Sequence, residues 1–485
     1  MKIKSMLAVL AAASLSLGTA SAMNHPVTIA DQGSFMAGGR TVTAEGTYDG
    51  SKPTDFAGET LHGDHAYVFY QKPVKAKKYG MVFLHGYGQS GKTWETTPDG
   101  RDGFQNIFLE RGYATYIVDQ PRRGRAGRAT VAGNVSARPD DQLWYNTFRI
   151  GEWPNYYDNA AVPKDDESRE QFFHQMVPDT APIDNEAVAE AMTAVFEKAG
   201  DGILITHSAG GGPGWDTAMR SEHVKGVISL EPGTFPFPEG EVPETEATTS
   251  PFPASGTAVP MADFMKLTKI PIVVYFGDNI PQGDTPVENW GQDNWRVRLN
   301  LAKKWEQVMK KYGGDVSIVY LPDIGVKGNT HFMMADLNNV EVADVMEKMA
   351  ARKRLGKNQI ELHPFFVQEQ ALAVMKKYGV HPQAWGPLAE GKHGIFTDKD
   401  LVAIGAKHGK SAAQVALRWN VQRGVSIIPK SVHVERMQEN LAIWDFSLTD
   451  EEMAVIASKD IGHSEIVDHS SPDFVKMICD WKVNA

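Results

Sequence analysis

The positions of apolar and polar residues predict strands that alternate with helices from residue 23 to about residue 350. Short, almost continuous apolar runs are typical of buried strands. They lie at 79–84, 114–119, 202–206, 224–230, 271–276 and 316–321. Helical stretches lie between several of them, including 185–199 and 296–311. Residues 23–350 are therefore predicted to form an α/β domain around a doubly wound, mostly parallel sheet.

Two irregular segments, at about 122–182 and 232–260, interrupt this alternation. Both are long enough to be functional loops or caps. The second is rich in proline, threonine and glutamate. The first carries an aromatic cluster: Trp144, Tyr145, Phe148, Trp153, Tyr156 and Tyr157. The cluster lines a substrate pocket or packs locally under a long loop, and the sequence leaves both interpretations open.

A second alternation of strands and helices begins after a short basic stretch at 351–357, which follows a predicted helix at 340–350. Its strand-like segments lie at 359–362, 382–385 and 425–429. The chain has 485 residues, which is too many for one ordinary core, so two domains are expected. We place the junction at 351–357 and the second domain at 358–485.

Residues 1–22 are predicted to be a secretory signal peptide. Lysines precede an apolar run at 6–17, and Ala20-Ser21-Ala22 offers a small-residue cleavage site. The run is too short to span a bilayer, and no later segment is long and apolar enough. The protein is therefore expected to be exported, to the periplasm or the extracellular space. Its single cysteine, Cys479, excludes an internal disulfide.

Composition restricts the partners of this chain. The net charge of −11 argues against general binding to nucleic acid or to membrane surfaces. A small-molecule substrate is expected instead, with no nucleic acid and no membrane span. The sequence leaves a homo-oligomer open.

One serine stands at the tip of a turn between an apolar run and a helix. The run at 202–206 leads into His207-Ser208-Ala209-Gly210-Gly211, and a helix-compatible stretch follows at 214–220. This strand–turn–helix context is that of a nucleophile elbow, which holds the serine hydroxyl exposed above the sheet. Thr206 occupies the place of the first glycine in the usual G-x-S-x-G motif. Ser208 is therefore the candidate nucleophile of a serine hydrolase.

A serine hydrolase on an α/β sheet also needs an acid and a histidine, which follow the serine in that order. His331 lies in a loop after the last predicted strand of the first domain and is the candidate base. Glu231 directly follows the strand at 224–230, whereas Asp278 follows the next strand. Position alone gives these two acids equal weight.

The turn after the first predicted strand is the candidate oxyanion hole. Its sequence is His85-Gly86-Tyr87-Gly88, and the glycines allow the backbone to turn its amides inward. We assign the donors to the amides of Tyr87 and of Ala209, the residue after the nucleophile. This chemistry needs no metal and no organic cofactor.

The same turn also matches nucleotide-binding motifs. Residues 86–93 fit both G-x-x-x-x-G-K-[ST] and G-x-G-x-x-G, and Asp119 ends the next strand. Nucleotide binding is disfavoured because Thr96-Thr97-Pro98 interrupts the helix that should follow Lys92. A basic run downstream contacts an anionic substrate or forms a solvated loop: Arg122, Arg123, Arg125 and Arg128.

The chain resembles exported bacterial α/β-hydrolase esterases, which have a Ser–Glu–His triad. The segments that carry this resemblance are 94–101, 116–120, 229–233 and 328–334. The resemblance covers about 60–350. It implies an α/β-hydrolase fold, ester hydrolysis through an acyl-enzyme, and Glu231 rather than Asp278 as the acid. Some relatives carry paired cysteines in the oxyanion turn, where this chain has Tyr87 and Gly88.

The second domain resembles the aldo-keto reductases, with diketogluconate reductases as the nearest branch. The matching segments are 358–364, 385–388 and 428–432, followed by Arg436, Glu439 and Asn440. The resemblance implies that Gln359 and Trp385 contact the nicotinamide of a bound cofactor. It also implies that the 2′-phosphate of NADP is bound by four residues: Lys430, Ser431, Arg436 and Asn440. Basic side chains beside a serine are suited to bind a phosphate.

This resemblance covers only about 358–475, the second half of an eight-stranded barrel. The catalytic residues of that family lie in the first half, which is absent here. About three βα units cannot close a barrel of eight strands. A truncated (β/α)8-barrel fragment without reductase activity is predicted, and NADP binding by it is disfavoured.

The sequence thus favours an exported serine carboxylic-ester hydrolase fused to part of a reductase. One alternative is an NADP-dependent oxidoreductase that uses the second domain. Another is a non-catalytic binding protein on a hydrolase scaffold, which the unusual Thr206 keeps open.

Overall fold

The computed structural model describes residues 26–350, 357–377, 381–464 and 466. The predicted signal peptide, nearly all of the predicted junction and Cys479 lie outside the described residues. Two compact units divide the chain, the first ending at Met346 and the second beginning at Glu347. No helix within the described ranges is both long and apolar enough to cross a bilayer.

Among the described residues, the first unit contains twelve strands. In chain order they are β1 (Ile29–Thr43), β2 (Thr60–Pro73), β3 (Gly80–Leu84), β4 (Thr115–Asp119), β5 (Gly151–Glu152), β6 (Asn155–Tyr156), β7 (Gly202–His207), β8 (Val224–Leu230), β9 (Pro236–Pro238), β10 (Thr257–Val259), β11 (Ile272–Phe276) and β12 (Val316–Tyr320). Its helices are α1 (Phe104–Glu110), α2 (Asp141–Thr147), α3 (Asp166–His174), α4 (Asn185–Ala199), α5 (Gly211–Arg220), α6 (Met261–Leu267) and α7 (Trp290–Lys311). Helix α8 (Asn339–Ala350) begins in this unit and extends past its end at Met346.

The main sheet has the strand order β1-β2-β4-β3-β7-β8-β11-β12. Strand β2 runs antiparallel to its neighbours β1 and β4, and the remaining pairs are parallel. The prediction of a doubly wound, mostly parallel sheet is confirmed. Each strand predicted for it forms within one residue of its expected bounds, because strands buried on both faces leave continuous apolar runs.

Two helices show how local sequence positions the site. Helix α4 begins where the carboxylate of Asp184 accepts the Ala187 amide at 3.0 Å, and its buried face packs in the core beside the sheet. Helix α7 begins where Asn289 accepts the Gln292 amide at 3.0 Å. Its buried face includes Trp295, which reaches the carboxyl ends of the strands.

The turn after β3 does not continue into the helix that a phosphate-binding loop requires. A single 3₁₀ turn, Gly91–Trp94, follows it. The Gly91 amide donates to Asp119 at 2.6 Å, and Arg125 donates to the same carboxylate at 2.8 Å. Asp119 therefore ties the turn to the sheet, and the nucleotide-binding interpretation has no helix to support it.

The basic run after β4 was expected to contact an anionic substrate or to form a solvated loop, and two of its arginines do neither. Arg122 is buried and pairs with Asp64 at 2.7 Å. Arg123 is also buried and pairs with Asp179 at 2.5 Å. These arginines fasten the irregular segment to the unit instead of facing solvent. Arg128 is exposed.

The second unit is a small open α/β structure. Its strands, β13 (Lys357–Glu361), β14 (His381–Trp385) and β15 (Ser426–Ile427), form a parallel sheet in that order. Its helices are α9 (Glu369–Lys377), α10 (Lys399–His408), α11 (Ala412–Gln422), α12 (Val434–Leu441) and α13 (Asp450–Ala457). Helices α9, α10, α11 and α13 pack with the sheet around a core that contains Trp419, whereas α12 has no buried residue. Within the described part of this unit the three strands form no closed barrel.

Candidate active site

Ser208 lies on a strained turn between β7 and α5. Its φ of 54° is in the left-handed region, which residues other than glycine rarely adopt, and its side chain is half-buried. Such strain is typical of a nucleophile elbow. Thr206 fits because it faces Gly214, where an added Cβ would lie 2.5 Å from the threonine methyl. The absence of a side chain at Gly214 on the facing helix thus leaves the space that the Thr206 methyl occupies.

The side chains of His331 and Glu231 contact each other at the carboxyl edge of the sheet. At this edge Ser208 follows β7 and Glu231 follows β8. The Nδ1 of His331 lies 2.5 Å from Oε2 of Glu231, and both side chains are buried. The imidazole therefore donates its Nδ1 proton to the carboxylate. Its Nε2 is buried and makes no hydrogen bond with the described residues. This tautomer leaves Nε2 as a proton acceptor, which is what a general base needs.

Aromatic rings hold the imidazole of His331 in place. The ring centroids of Trp295 and His207 lie 4.2 and 4.4 Å from it, and Phe148 stacks at 5.3 Å. The Nε2 of His207 donates to the His331 carbonyl at 2.9 Å. Burial lowers the pKa of His331 below its ordinary value, although the contact with Glu231 raises it. The ring is thus kept neutral and fixed.

Glu231 has a second charged partner, Arg149, which the sequence did not predict. The guanidinium of Arg149 forms two hydrogen bonds with the carboxylate, at 3.0 and 2.5 Å, and both residues are fully buried. The Gly277 amide donates to the same carboxylate at 2.7 Å. Burial raises the pKa of Glu231, but the charge of Arg149 and the hydrogen bond of His331 outweigh burial and lower it. Glu231 is therefore held ionised.

Asp278, the other candidate acid, has different partners. Its carboxylate accepts the Gly328 amide at 2.8 Å and the Asn159 side chain at 3.1 Å. Its backbone carbonyl accepts from Nε of Arg149 at 2.8 Å. The structure therefore places Glu231 against the imidazole of His331, whereas Asp278 anchors the start of the loop that carries His331.

The predicted oxyanion donors follow adjacent strands. Tyr87 comes after β3 and Ala209 after β7, and these strands pair in parallel up to Leu84 and Thr206. Gly86 lies directly against the nucleophile, since a Cβ added to it would lie 2.7 Å from the Ser208 Cβ. A residue with a side chain would therefore push the turn away from the serine.

Part of the aromatic cluster contacts the oxyanion turn and the His331 ring, and the rest has other partners. Trp144 contacts Tyr87 at 5.0 Å, Phe148 at 5.4 Å and Phe252 at 6.4 Å between ring centroids. Both irregular segments and the oxyanion turn thus meet at Trp144, beside the ring that stacks on His331. By contrast, Tyr145 packs on Trp153 and Tyr156, and the Tyr157 hydroxyl accepts from Asn289 at 2.9 Å. Tyr145 and Tyr156 line a cavity that Phe332 also lines.

The residues matched to the NADP 2′-phosphate lie around one cavity of about 520 Å³ in the second unit. They are Lys430, Ser431, Arg436 and Asn440. Gln359 and Trp385 are not among its lining residues and lie on β13 and β14, where Gln359 hydrogen-bonds Gln383 at 2.9 Å. The structure therefore gathers the predicted phosphate contacts and does not join the predicted nicotinamide contacts to them.

Comparisons with known proteins give hydrolases for the first unit. The sequence profile described as the alpha/beta hydrolase family matches residues 81–365. A probable secreted lipase, phiG, of a fungal species is 28% identical over 307 residues, which are 55% of this chain and 80% of the lipase. A solved structure of a novel bacterial esterase is 30% identical with a TM-score of 0.54, and the match covers 68% of this chain and 98% of the esterase.

For the second unit the comparisons give reductases, over part of their length. The profile described as the aldo/keto reductase family matches residues 336–461. The methylglyoxal reductase DkgA of Salmonella typhimurium is 42% identical over 105 residues. That match covers 22% of this chain and 38% of the reductase. The chain therefore spans little more than a third of the length of this relative.

Proposed function

The chain belongs to the alpha/beta hydrolase family, and on that premise we propose that it is a serine carboxylic-ester hydrolase that works through an acyl-enzyme on Ser208. Its lipase and esterase relatives support a hydrolase. The observation that carries the finer proposal is the 2.5 Å contact from His331 Nδ1 to Glu231, which leaves Nε2 as a buried acceptor. Both resemblances recognised in the sequence, including the joined reductase segment, are confirmed.

In the proposed mechanism, the hydroxyl oxygen of Ser208 attacks the ester carbonyl carbon while His331 Nε2 takes its proton. Glu231 stabilises the imidazolium that results. The amides of Tyr87 and Ala209 donate to the oxyanion of the tetrahedral intermediate. Collapse of the intermediate breaks the C–O bond, and His331 protonates the departing alcohol. Water, deprotonated by His331, then attacks the carbonyl carbon of the acyl-serine. Collapse of this second intermediate breaks the bond to the Ser208 oxygen, and His331 returns the proton to that oxygen as the acid leaves.

The walls of the site support an uncharged ester with an apolar group. Tyr87, Trp144 and Phe252 are each partly exposed and bring their rings together beside the His331 ring system. Aromatic surfaces of this kind bind apolar and aromatic groups through burial and stacking. Export of the protein remains part of the proposal, and the name of a secreted lipase relative supports it.

Hydrolysis of p-nitrophenyl acetate and butyrate by the mature protein, together with labelling by a fluorophosphonate, tests the proposal. We expect turnover, and we expect one phosphonate per chain on the peptide that contains Ser208, because a strained, base-activated serine is the most nucleophilic hydroxyl. The fraction of turnover that is lost should equal the fraction of chains that carry the phosphonate. Protein denatured before labelling is the control. Labelling of another residue in step with inactivation would contradict the proposal.

Activity is expected to be lost on acidification at a pH below the ordinary pKa of a histidine. His331 acts as a base only when neutral, so activity is lost as the pH falls through its pKa. Burial lowers that pKa from 6.5. We therefore expect kcat/KM for p-nitrophenyl butyrate to fall with a midpoint below pH 6.5. Circular dichroism over the same range controls for unfolding, and a midpoint above 6.5 would contradict the assignment.

For the second unit we propose no reductase step. In its reduced form, NADPH, the cofactor would supply a hydride, and its 2′-phosphate would be held by the lining residues of the 520 Å³ cavity: Lys430, Ser431, Arg436 and Asn440. The match covers 38% of the length of a full reductase, and the catalytic residues implied by the resemblance belong to the unmatched part. The expectation that this unit lacks reductase activity therefore stays a prediction.

A further inference from the structure

Arg123 is a buried cation with its donors aimed at two acceptors. Its side chain is 1% exposed. Nε and Nη2 donate to the carboxylate of Asp179 at 2.5 and 2.9 Å. Nη1 donates to the backbone carbonyl of Gly86 at 2.7 Å. The guanidinium also lies 5.0 Å from the centroid of the Tyr87 ring. A bidentate partner thus anchors the arginine while its third contact reaches the oxyanion turn.

The same carbonyl of Gly86 has a second donor, His85. The Nε2 of His85 accepts the Gln120 amide at 3.2 Å, so the ring proton of the neutral imidazole is on Nδ1. Nδ1 lies 3.0 Å from the Gly86 carbonyl and donates to it. Burial, and then the charge of Arg123, lower the pKa of His85 to about 4, which keeps the ring neutral. Two buried donors therefore fix the direction of one carbonyl.

A fixed Gly86 carbonyl also fixes the amide of Tyr87. In a trans peptide the C=O and the following N–H point in opposite directions. The Tyr87 N–H is therefore directed away from Arg123 and His85. Gly86 packs against Ser208, so this peptide lies beside the candidate nucleophile. Hydrogen bonding of the carbonyl to a cation also polarises the peptide, which makes its N–H a stronger donor.

We propose that Arg123, anchored by Asp179, is a positioning residue that aligns and polarises the Gly86–Tyr87 peptide as an oxyanion donor. The inference rests on the proposed function, because it concerns the same ester hydrolysis. Arg123 touches no reacting atom. Its effect is expected only where negative charge develops on the substrate oxygen, which is in the tetrahedral intermediate and not in the bound ester.

The neighbouring arginine supplies a matched control. Arg122 is also buried, and its guanidinium pairs with Asp64 and Asp184 and donates to the Pro182 carbonyl. None of these partners belongs to the oxyanion turn. Replacing either arginine with methionine removes a buried charge from the same segment of chain, but only the Arg123 replacement removes a donor from the Gly86 carbonyl and leaves it with His85 alone.

The test compares Arg123→Met, Arg123→Lys and Arg122→Met by kcat and KM for p-nitrophenyl butyrate and by inhibition with a trifluoromethyl ketone. Loss of a whole oxyanion donor costs about 10²–10³ in kcat. We expect Arg123→Met to lower kcat about 100-fold with little change in KM, and to weaken the ketone, which mimics the tetrahedral state, by a similar factor. Arg123→Lys should lose about 10-fold, because one ammonium replaces the fork of donors.

An unchanged kcat in Arg123→Met, or a change in KM alone, would overturn the proposal, and so would an equal kcat loss in Arg122→Met. If Arg123→Met does not fold, Arg123→Lys decides, since it keeps the charge beside Asp179 and must still lose kcat and ketone affinity together. The wild type separates the two hypotheses. If it hydrolyses no ester, the proposed function fails. If it does, and Ser208→Ala does not, an unchanged Arg123→Lys refutes this inference alone.

Discussion

Replacing Ser208 with alanine is expected to slow hydrolysis of p-nitrophenyl butyrate by about 10⁴-fold or more. The substitution removes only the hydroxyl oxygen that would form the acyl-enzyme. His331 would keep its contact with Glu231, and the oxyanion amides would remain, so a small residual rate over water is expected. Initial rates at saturating substrate measure kcat, and labelling by the fluorophosphonate should vanish in the same variant.

Ser229→Ala is a suitable control for this experiment. Ser229 is a buried serine on β8, and its hydroxyl lies 2.7 Å from that of Thr206, one strand away from the elbow. Its loss removes a buried hydroxyl close to the nucleophile and none of the groups of the proposed mechanism, so we expect kcat to fall far less than in Ser208→Ala. If Ser208→Ala kept most of the wild-type rate while folded, the nucleophile would have to be another group.

The sheet was predictable from the sequence to the extent that its strands are buried on both faces. Continuous apolar runs marked β3, β4, β7, β8, β11 and β12. The hairpin of β1 (Ile29–Thr43) and β2 (Thr60–Pro73) was not predicted. Its edge strand β1 is mostly exposed and contains Gly33, Gly38 and Gly39, so it has neither a continuous apolar run nor strong strand propensity. Its pairing with β2, not its composition, makes it a strand.

The candidate site was predictable where chain order carries information. Ser208 and His331 followed from strand–turn–helix context and from order along the chain. The choice between Glu231 and Asp278 did not follow from position, because both stand at the ends of adjacent strands. The contacts of Arg149 and Arg123 could not be predicted, since each arginine contacts a group far from it in the sequence. The Glu231 carboxylate is 82 residues away from Arg149.

Replacing Glu231 with glutamine is expected to lower kcat by about 10³–10⁴-fold, the cost typical of neutralising a triad acid. The glutamine amide cannot hold His331 in the tautomer that leaves Nε2 as acceptor, and it supplies no charge to the imidazolium. The measurement is kcat for p-nitrophenyl butyrate above pH 7. Asp278→Asn should lose far less, because Asp278 anchors the Gly328 amide and not the imidazole. Equal or reversed losses would overturn the assignment.

Arg149 adds a second effect to the Glu231→Gln variant, a loss of stability, which a double variant separates from the loss of rate. Glu231→Gln leaves the guanidinium of Arg149 buried without its anionic partner, and breaking a buried pair in this way costs about 3–5 kcal/mol of folding stability. A fall in kcat could then result from destabilisation of the site and not from loss of the acid that orients His331. The double variant Glu231→Gln/Arg149→Met removes the orphaned charge and is expected to regain most of the melting temperature while kcat stays low. If kcat returned together with stability, Glu231 would be a structural partner of Arg149 and not the acid that orients His331. Stability and rate are therefore expected to separate in the double variant, because the arginine needs a negative charge to be buried and the histidine needs one to act as a base.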